Sequence, residues 1–254
     1  MRILSYNILH GGEGRADPLC EVILAQNADV VALIEADDAA VLDRLARRTT
    51  MDVIHAAGKK GSVALLSRFP IRDSINHSPL IADLTNAFLQ ATVIDLAGNP
   101  WQFGVLHLKA RASEEREKIR ERELAAILNT FAPLRAANTP HILLGDFNAN
   151  SPHQQINLAN CKPETREEAK SNGGQIPRRA IQSLLDHGYL DTLHTLRPDY
   201  AATQGTFSTQ YPGQRVDYIF IHSLPSSRLK SAWIEYDRLA TYASDHYPVG
   251  AEII

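Results

Sequence analysis

Acidic, amide and imidazole side chains stand where apolar segments of this 254-residue chain end. The clearest case is the segment 141–148, an apolar strand that leads into Asp146 and Asn148. Alternate residues of an extended chain share a side, so this carboxylate and carboxamide can face one edge. A proton acceptor beside a neutral donor suits a phosphodiester that is attacked by water. Asp and Asn are also common turn residues, and for this segment alone that alternative stays open.

Other polar side chains follow the same pattern at or within apolar strands. Polar groups at several strand ends of one sheet edge converge on a shared crevice, so the pattern predicts one site built from distant parts of the chain. Taken singly, each residue has a plain structural alternative: a helix-start charge, a turn or cap, a core histidine, or a salt bridge with Arg215. The further candidates are Asn7, Glu35, His107, Asp217, Asp245 and His246.

Alternating strand-like and helix-like segments must position these side chains. The longest predicted helix starts near Ser113 and is stopped or kinked by Pro133, with the charged run 114–123 as its solvated face. Residues 148–177 are polar and are predicted to form a long loop. Asp17 is the predicted N-cap of an earlier helix, and further helices are expected at 38–48 and near 178–187. Strands are predicted at 2–8, 29–34, 63–67, 86–96, 101–109, 215–222, 229–236 and 247–253.

Length and composition limit the class of protein. The chain shows no repeat or clear linker, so we expect residues 1–254 to form a single domain. The formal net charge of −3 excludes a broad basic coat, so nucleic-acid binding would depend on local patches or a metal. Two cysteines without metal-ligand spacing argue against a disulfide framework or a zinc site. No secretion signal or membrane-spanning segment is evident, which favours a cytoplasmic location.

The ordered set of these segments resembles the endonuclease/exonuclease/phosphatase family. The most specific pieces are GDFN at 145–148, RVDYIF at 215–220 and SDHYPV at 244–249, and the matches run from Asn7 to His246. The family includes pancreatic-type deoxyribonucleases, abasic-site endonucleases, inositol-polyphosphate phosphatases and bacterial sphingomyelinases. The resemblance implies a four-layer α/β/β/α sandwich with two central, mostly antiparallel or mixed β-sheets, and metal-assisted hydrolysis of phosphate esters.

The resemblance also implies a set of residues beside a divalent metal. Glu35 corresponds to a direct ligand, and a carboxylate suits a hard cation such as Mg²⁺ or Mn²⁺. Asn7 corresponds to a strand-end asparagine beside the metal, where its carboxamide can hold a metal-bound water or a ligating carboxylate. Asp245 corresponds to an aspartate on the metal side of the site.

Five residues correspond to the catalytic group of the family. Asp146 would position or deprotonate the attacking water, Asn148 would donate to a phosphate oxygen, and Asp217 would orient His246. His246 would act either as an imidazolium that stabilises the pentacovalent centre or as a neutral base, and the sequence does not choose between Asp146 and His246 as the base. His107 corresponds to a donor to the phosphate or leaving group. In the deoxyribonuclease branch this histidine pairs with an upstream glutamate, but segment 58–63 contains no acid.

Together these features predict a divalent-metal-dependent phosphodiesterase, with DNA or RNA as the leading substrate class. One alternative is a phosphoesterase that acts on a lipid or small-molecule phosphate, such as a phosphoinositide phosphatase or a sphingomyelinase-like enzyme. A second alternative is a catalytically inactive binding module. No obligate protein partner and no stable membrane insertion are expected.

Overall fold

Two six-stranded sheets form the centre of the protein in a computed structural model that describes residues 1–254. One sheet has the order β11-β12-β1-β2-β4-β3 and the other β5-β6-β7-β8-β10-β9. The strands are β1 Arg2–Asn7, β2 Val30–Ile34, β3 Asp52–Ala56, β4 Val63–Ser67, β5 Ile71–Asn76, β6 Phe88–Ile94, β7 Pro100–His107, β8 His141–Asp146, β9 Leu190–Asp191, β10 Asp217–His222, β11 Leu229–Ile234 and β12 Val249–Ile253.

The sheets are mixed and mostly antiparallel, as predicted. The parallel neighbours are β1 with β2 in the first sheet and β7 with β8 in the second, and the other neighbouring strands are antiparallel. Strand β2 is buried along its whole length, as its continuous apolar sequence predicts for a strand covered on both faces.

Helices pack around the two sheets. α1, α2 and α8 lie together beside the first sheet, and α3 and α5 lie on the second. No helix combines the length and apolar character needed to cross a membrane. The helices are α1 Ala16–Gln26, α2 Ala39–Thr49, α3 Glu114–Ala136, α4 Pro163–Ser171, α5 Arg179–Asp186, α6 Thr192–Leu196, α7 Pro198–Thr203 and α8 Arg238–Ala243.

Strand alternation divides the second sheet between two hydrophobic cores. Leu143 and Phe220 pack with Phe131 of α3 in the outer core, whereas Ile142 and Ile221 join the core shared with the first sheet. Because successive side chains of a strand point to opposite faces, the same strands can support a helix layer and a second sheet. The α/β/β/α sandwich expected from the sequence is therefore confirmed.

Two local expectations are wrong, and Pro133 does not stop the longest helix at its own position. The first helix begins at Ala16 with Arg15 at its N-cap, so Asp17 lies in the first turn. The polar segment 148–177 is not a continuous loop, because it contains α4, which starts with Pro163 in the first turn where a missing N–H costs no hydrogen bond. α3 passes through Pro133 and ends at Ala136, and the Pro133 carbonyl still accepts from Ala137 N at 3.0 Å.

The charged run of α3 is not simply a solvated face. Glu117, Arg120 and Glu123 are buried, and each is held by several partners. Arg120 donates to Glu117 Oε2 at 2.9 and 2.7 Å and to Lys109 O at 2.8 Å, while Glu123 accepts from Lys109 N at 2.8 Å. Buried charges are tolerated when they are fully paired. These contacts fix the loop that follows β7, next to the predicted site.

Candidate active site

All eight predicted site residues meet at one edge of the two sheets. The carboxyl ends of the parallel strands β1 and β2 coincide, as do those of β7 and β8, and Asp217 at the amino end of antiparallel β10 lies opposite Asp146. Side-chain distances join the group: Asn7–Glu35 3.1 Å, Asn7–Asp146 3.1 Å, His107–Asp146 3.6 Å, Asn148–Asp146 3.2 Å, His246–Asp146 3.8 Å, His246–Asp217 2.9 Å and His246–Asp245 3.9 Å.

Asn7 connects the polar groups of the two sheets. Its Nδ2 donates to Glu35 Oε1 and to Asp146 Oδ2, both at 3.1 Å, and its Oδ1 accepts from Leu9 N at 3.0 Å. The amide therefore presents its donor to the site and holds two carboxylates, with its oxygen occupied by the backbone. This orientation agrees with the predicted role of holding a ligating carboxylate rather than of ligating directly.

His246 lies among three carboxylates and carries a positive charge. Burial alone would lower the pKa of His246, but Asp217 and Asp146, with the hydrogen bond from Nδ1 to Asp217 Oδ2 at 2.9 Å, raise it to about 10. The ring of Phe207 packs on the imidazole at 4.6 Å between centroids. Thr206 Oγ1 accepts from Asp217 N at 3.2 Å and so fixes the strand end that carries this aspartate. Of the two predicted roles, the imidazolium suits this environment.

Asp146 is a buried carboxylate whose ionisation is disfavoured. Burial, followed by the negative charge of Asp217, raises the pKa of Asp146 to about 8, although the nearby His246 opposes this shift. Asn148 N donates to Asp146 Oδ1 at 2.8 Å, and Asn148 Nδ2 donates to Asp146 Oδ2 at 3.2 Å and to Leu108 O at 3.0 Å. A carboxylate with a pKa near neutrality can accept a proton at physiological pH and release it again.

His107 is buried and neutral. Burial lowers the pKa of His107 to about 4, and its Nδ1 has no hydrogen-bond partner. A Cβ at Gly61 would stand 3.6 Å from this atom, so segment 58–63 approaches Nδ1 through a glycine and offers it no acid. The ring is therefore held by packing and by Asp146, which lies 3.6 Å from Nε2.

The stability of the protein is expected to fall on acidification because of His107. In the unfolded state the His107 imidazole is protonated near pH 6.5, whereas in the folded state its pKa is about 4. Protonation between these two pH values therefore favours the unfolded state, and stability is lost as the pH falls. Between pH 7 and pH 5 the wild type should lose about 2 kcal/mol of unfolding free energy that the His107→Gln variant retains. Urea unfolding across this range measures the difference, with exposed His55→Gln as the matched control. Parallel stability curves for the wild type and His107→Gln would contradict a buried neutral imidazole.

The carboxylates of Glu35 and Asp245 fit a divalent cation. Burial alone would raise the pKa of Glu35, but hydrogen bonds from His10 N and Asn7 Nδ2 contribute to lowering it overall, so this carboxylate is ionised. Asp245 Oδ1 is buried without a hydrogen-bond partner, as is Asp217 Oδ1. Carboxylate oxygens are ligands that Mg²⁺ and Mn²⁺ prefer, and Asp245 Oδ1 has no competing hydrogen bond. Asp146, Asp217 and His246 also offer ligand atoms within 4.8 Å of one another, although Asp217 and His246 are already bonded to each other.

Unusual backbone geometry accompanies the site. Glu35 and Asn148 adopt positive φ values of 58° and 48°, which are uncommon for residues with a Cβ and cluster at functional sites in proteins. Gly145 has φ 142°, and a Cβ there would lie 1.9 Å from Leu106 O of the neighbouring strand. Glycine before Asp146 is thus required by the close approach of β7 and β8.

The sequence interpretation did not identify Lys162 and Phe207 beside this site. Lys162 Nζ lies 3.3 Å from Asp245 Oδ2 and 4.2 Å from the centroid of the Phe207 ring. Both residues line a cavity of about 410 Å³ that reaches Asn148. The Lys162-Pro163 dipeptide at the start of α4 was the available sequence signal, because a first-turn proline marks a helix where a loop was expected.

A family model describes nearly the whole chain. The model of the endonuclease/exonuclease/phosphatase family matches residues 4–246, and this chain therefore belongs to that family. Its members are hydrolases that act on phosphodiester bonds and depend on divalent metals. The chain is accordingly an ester-bond hydrolase, and its buried Asp/Asp/His group could bind a metal ion.

Solved structures share the fold at low sequence identity. The chain is similar to a 3′ phosphatase, NExo, from Neisseria bound to a product DNA hairpin, with 20% identity, coverage of 100% of this chain and 99% of that chain, and a TM-score of 0.73. An AP endonuclease from Archaeoglobus fulgidus has 19% identity, 100% and 99% coverage and a TM-score of 0.73. D. rerio TDP2 with a single-strand DNA product has 19% identity, 99% and 97% coverage and a TM-score of 0.68. No curated protein sequence matches the chain.

Proposed function

We propose that residues 1–254 act as one catalytic domain, a divalent-metal-dependent phosphodiesterase that hydrolyses P–O bonds of DNA or RNA. The observation that carries this proposal is the convergence on Asp146 Oδ2. Asn7 Nδ2 lies 3.1 Å from this atom, His107 Nε2 3.6 Å and His246 Nε2 3.8 Å. A buried proton acceptor surrounded by donors from both sheets is suited to water attack on an anionic centre.

Each residue then has a distinct role in the proposed reaction. Asp146 orients the attacking water and accepts its proton, because its raised pKa makes the carboxylate a competent base near pH 7. His246, kept protonated by Asp217 and Asp146, stabilises the negative charge on the five-coordinate phosphorus. His107 and Asn148 donate to phosphate or leaving-group oxygens, for which Asn148 must exchange one of its present acceptors.

Glu35 and Asp245 would hold the metal ion, with Asn7 keeping Glu35 in place. When bound, such a cation offsets the charge of the phosphate and of the leaving oxygen. Such a cation would also reduce the repulsion among the carboxyl groups of Glu35, Asp146, Asp217 and Asp245, which gather near a single imidazolium. Either Mg²⁺ or Mn²⁺ satisfies the oxygen donors present.

A nucleic-acid substrate is supported by two lines of argument. Solved structures with this fold include proteins seen with a DNA hairpin product and with a single-strand DNA product. Two histidines face Asp146, which provides donors to more than one oxygen of a diester phosphate. Lipid or small-molecule phosphate esters are the competing substrates, and a substrate panel separates them from nucleic acids.

The proposed activity is expected to require metal and to favour nucleic acid. Turnover is measured on plasmid, labelled oligonucleotides, bis(p-nitrophenyl) phosphate and phosphoinositide, each with Mg²⁺, with Mn²⁺ or with chelator. Hydrolysis of plasmid or oligonucleotide should be lost in chelator and return when the metal is restored. Preferred turnover of phosphoinositide would assign the lipid alternative, and absence of turnover on every substrate with either metal would favour a binding module.

A further inference from the structure

We propose that Lys162 binds a second phosphate of the substrate, next to the one being hydrolysed, and so makes the site selective for a polynucleotide over an isolated phosphodiester. This inference rests on the proposed function and deepens it by naming what the mouth of the site recognises. Lys162 precedes α4, a helix in the segment between β8 and β10.

Two attractions place the Lys162 ammonium group. Its Nζ lies 3.3 Å from Asp245 Oδ2 and 4.2 Å from the centroid of the Phe207 ring, which itself packs on His246. A carboxylate and an aromatic face together restrain a flexible lysine side chain. Its side chain is 33% exposed, so the ammonium is positioned at the opening and still reachable by a ligand.

The donors of Lys162 are mostly free. An ammonium group has three N–H donors, and here Asp245 Oδ2 is the one hydrogen-bond acceptor that Nζ contacts. Lys162 also lines two cavities at once, one of about 410 Å³ that includes Asn148 and Tyr211 and one of about 340 Å³ that includes Arg15. The ammonium group therefore stands at the border of both cavities.

The location of Lys162 points to a phosphate other than the reacting one. Asp245 contacts Lys162 through Oδ2 and lies 3.9 Å from His246 Nε2 through Oδ1, so this carboxylate stands between the two cationic side chains. A phosphate on His246 is therefore separated from Lys162 by the width of one side chain. A neighbouring phosphate of the same strand can occupy the outer position, and lysine is a common phosphate binder.

The negative charge around the site explains why a cation is needed at the mouth of the cavity. Asp146, Asp217 and Asp245 surround His246, and the whole chain has a formal net charge of −3, so a polyanion meets repulsion as it approaches. Arg111, which lines the same cavity, is already paired with Glu168 Oε1 at 2.7 Å. Lys162 is the cation that borders both cavities, and its contact with Asp245 is longer, at 3.3 Å, so it is suited to attract a polyanion at this point.

Binding and turnover of Lys162→Met test the proposal. Affinity for a fluorescein-labelled single-stranded oligonucleotide is measured by anisotropy over a range of salt concentrations in the Asp146→Asn background, where hydrolysis is suppressed. Lys162→Met should weaken binding about 10-fold and reduce the salt dependence by about one counterion, while Lys162→Arg retains both. In the otherwise wild-type protein, kcat/KM on the oligonucleotide should fall about 10-fold, mainly through KM, while bis(p-nitrophenyl) phosphate, which has one phosphate, should be unaffected.

Lys170→Met is the matched control, because Lys170 lies on α4, the helix that Lys162 precedes, and its side chain is 69% exposed. An equal loss of kcat/KM on the oligonucleotide and on bis(p-nitrophenyl) phosphate would overturn the proposal, because it would show that Lys162 acts through Asp245. An unchanged salt dependence would also overturn it, as would a Lys162-dependent preference for phosphoinositide vesicles. The binding measurement decides the matter even if the wild type hydrolyses neither substrate, so failure of the proposed activity remains a separate result.

Discussion

Replacing Asp146 with Asn is expected to lower the rate of phosphodiester hydrolysis about 10³-fold while the fold is retained. The variant keeps the shape of the side chain but cannot accept the proton of the attacking water. An amide oxygen in the place of Oδ2 still accepts from Asn7 Nδ2 and Asn148 Nδ2, whereas the hydrogen bond from Asn148 N to Oδ1 is lost. Steady-state hydrolysis of an oligonucleotide measures the loss, and circular dichroism verifies the fold.

The same variant should change how stability depends on pH. The pKa of Asp146 is raised to about 8 in the folded protein and is near 4 in the unfolded chain, so the wild type loses stability as the pH rises through this interval. Between pH 5 and pH 8, in chelator, the wild type should lose roughly 3 kcal/mol relative to Asp146→Asn. Asp43→Asn is the control, because the Asp43 side chain on α2 is 58% exposed. Wild-type turnover by purified Asp146→Asn would exclude Asp146 from the chemistry.

Gly145→Ala is expected to be the most destabilising single-methyl change in the site, at roughly 4 kcal/mol or more. The added Cβ would stand 1.9 Å from Leu106 O at φ 142°, and the atom it meets is backbone that cannot rotate away. Strands β7 and β8 would have to separate where they carry His107 and Asp146. Activity should therefore disappear together with stability, as measured by hydrolysis and by urea unfolding.

Gly98→Ala separates crowding from backbone conformation. Gly98 also has a positive φ, 83°, but nothing lies within 4 Å of a Cβ built there. It should cost only about 1 kcal/mol. A Gly145→Ala protein as stable as Gly98→Ala would show that the two strands can move apart freely, whereas failure to recover folded Gly145→Ala agrees with the expected loss.

Much of the site could be predicted from sequence because its polar residues follow apolar strands at the point where each strand ends. An apolar run that stops at a carboxylate, as at Asp146, marks both a buried strand and the edge where it ends. The family resemblance implied that Asp217 orients His246, and in the structure a hydrogen bond of 2.9 Å joins the two side chains. The alternative partner of Asp217, Arg215, instead pairs with Asp191 at 2.7 Å.

The parts that were missed depend on contacts between distant segments. Local pattern treats the charged start of α3 as solvated, because nothing within the helix shows that Arg120 will meet the carbonyl groups of Lys109 and Arg111. In the same way, Lys162 lies in a polar segment without periodicity, and its meeting with Asp245 across 83 positions follows only from the folded chain. The protonation states of His107 and His246 also diverge solely through tertiary burial and neighbouring charge.

The bridge made by Asn7 ties the chemistry to the docking of one sheet against the other. Asn7 and Glu35 come from the first sheet, whereas His107, Asp146 and Asp217 come from the second. A backbone cleaved between β4 and β5 would leave the first two residues on one fragment and the rest on the other. Neither fragment alone could form the active site. Recovery of turnover on mixing would therefore report that the two fragments have associated.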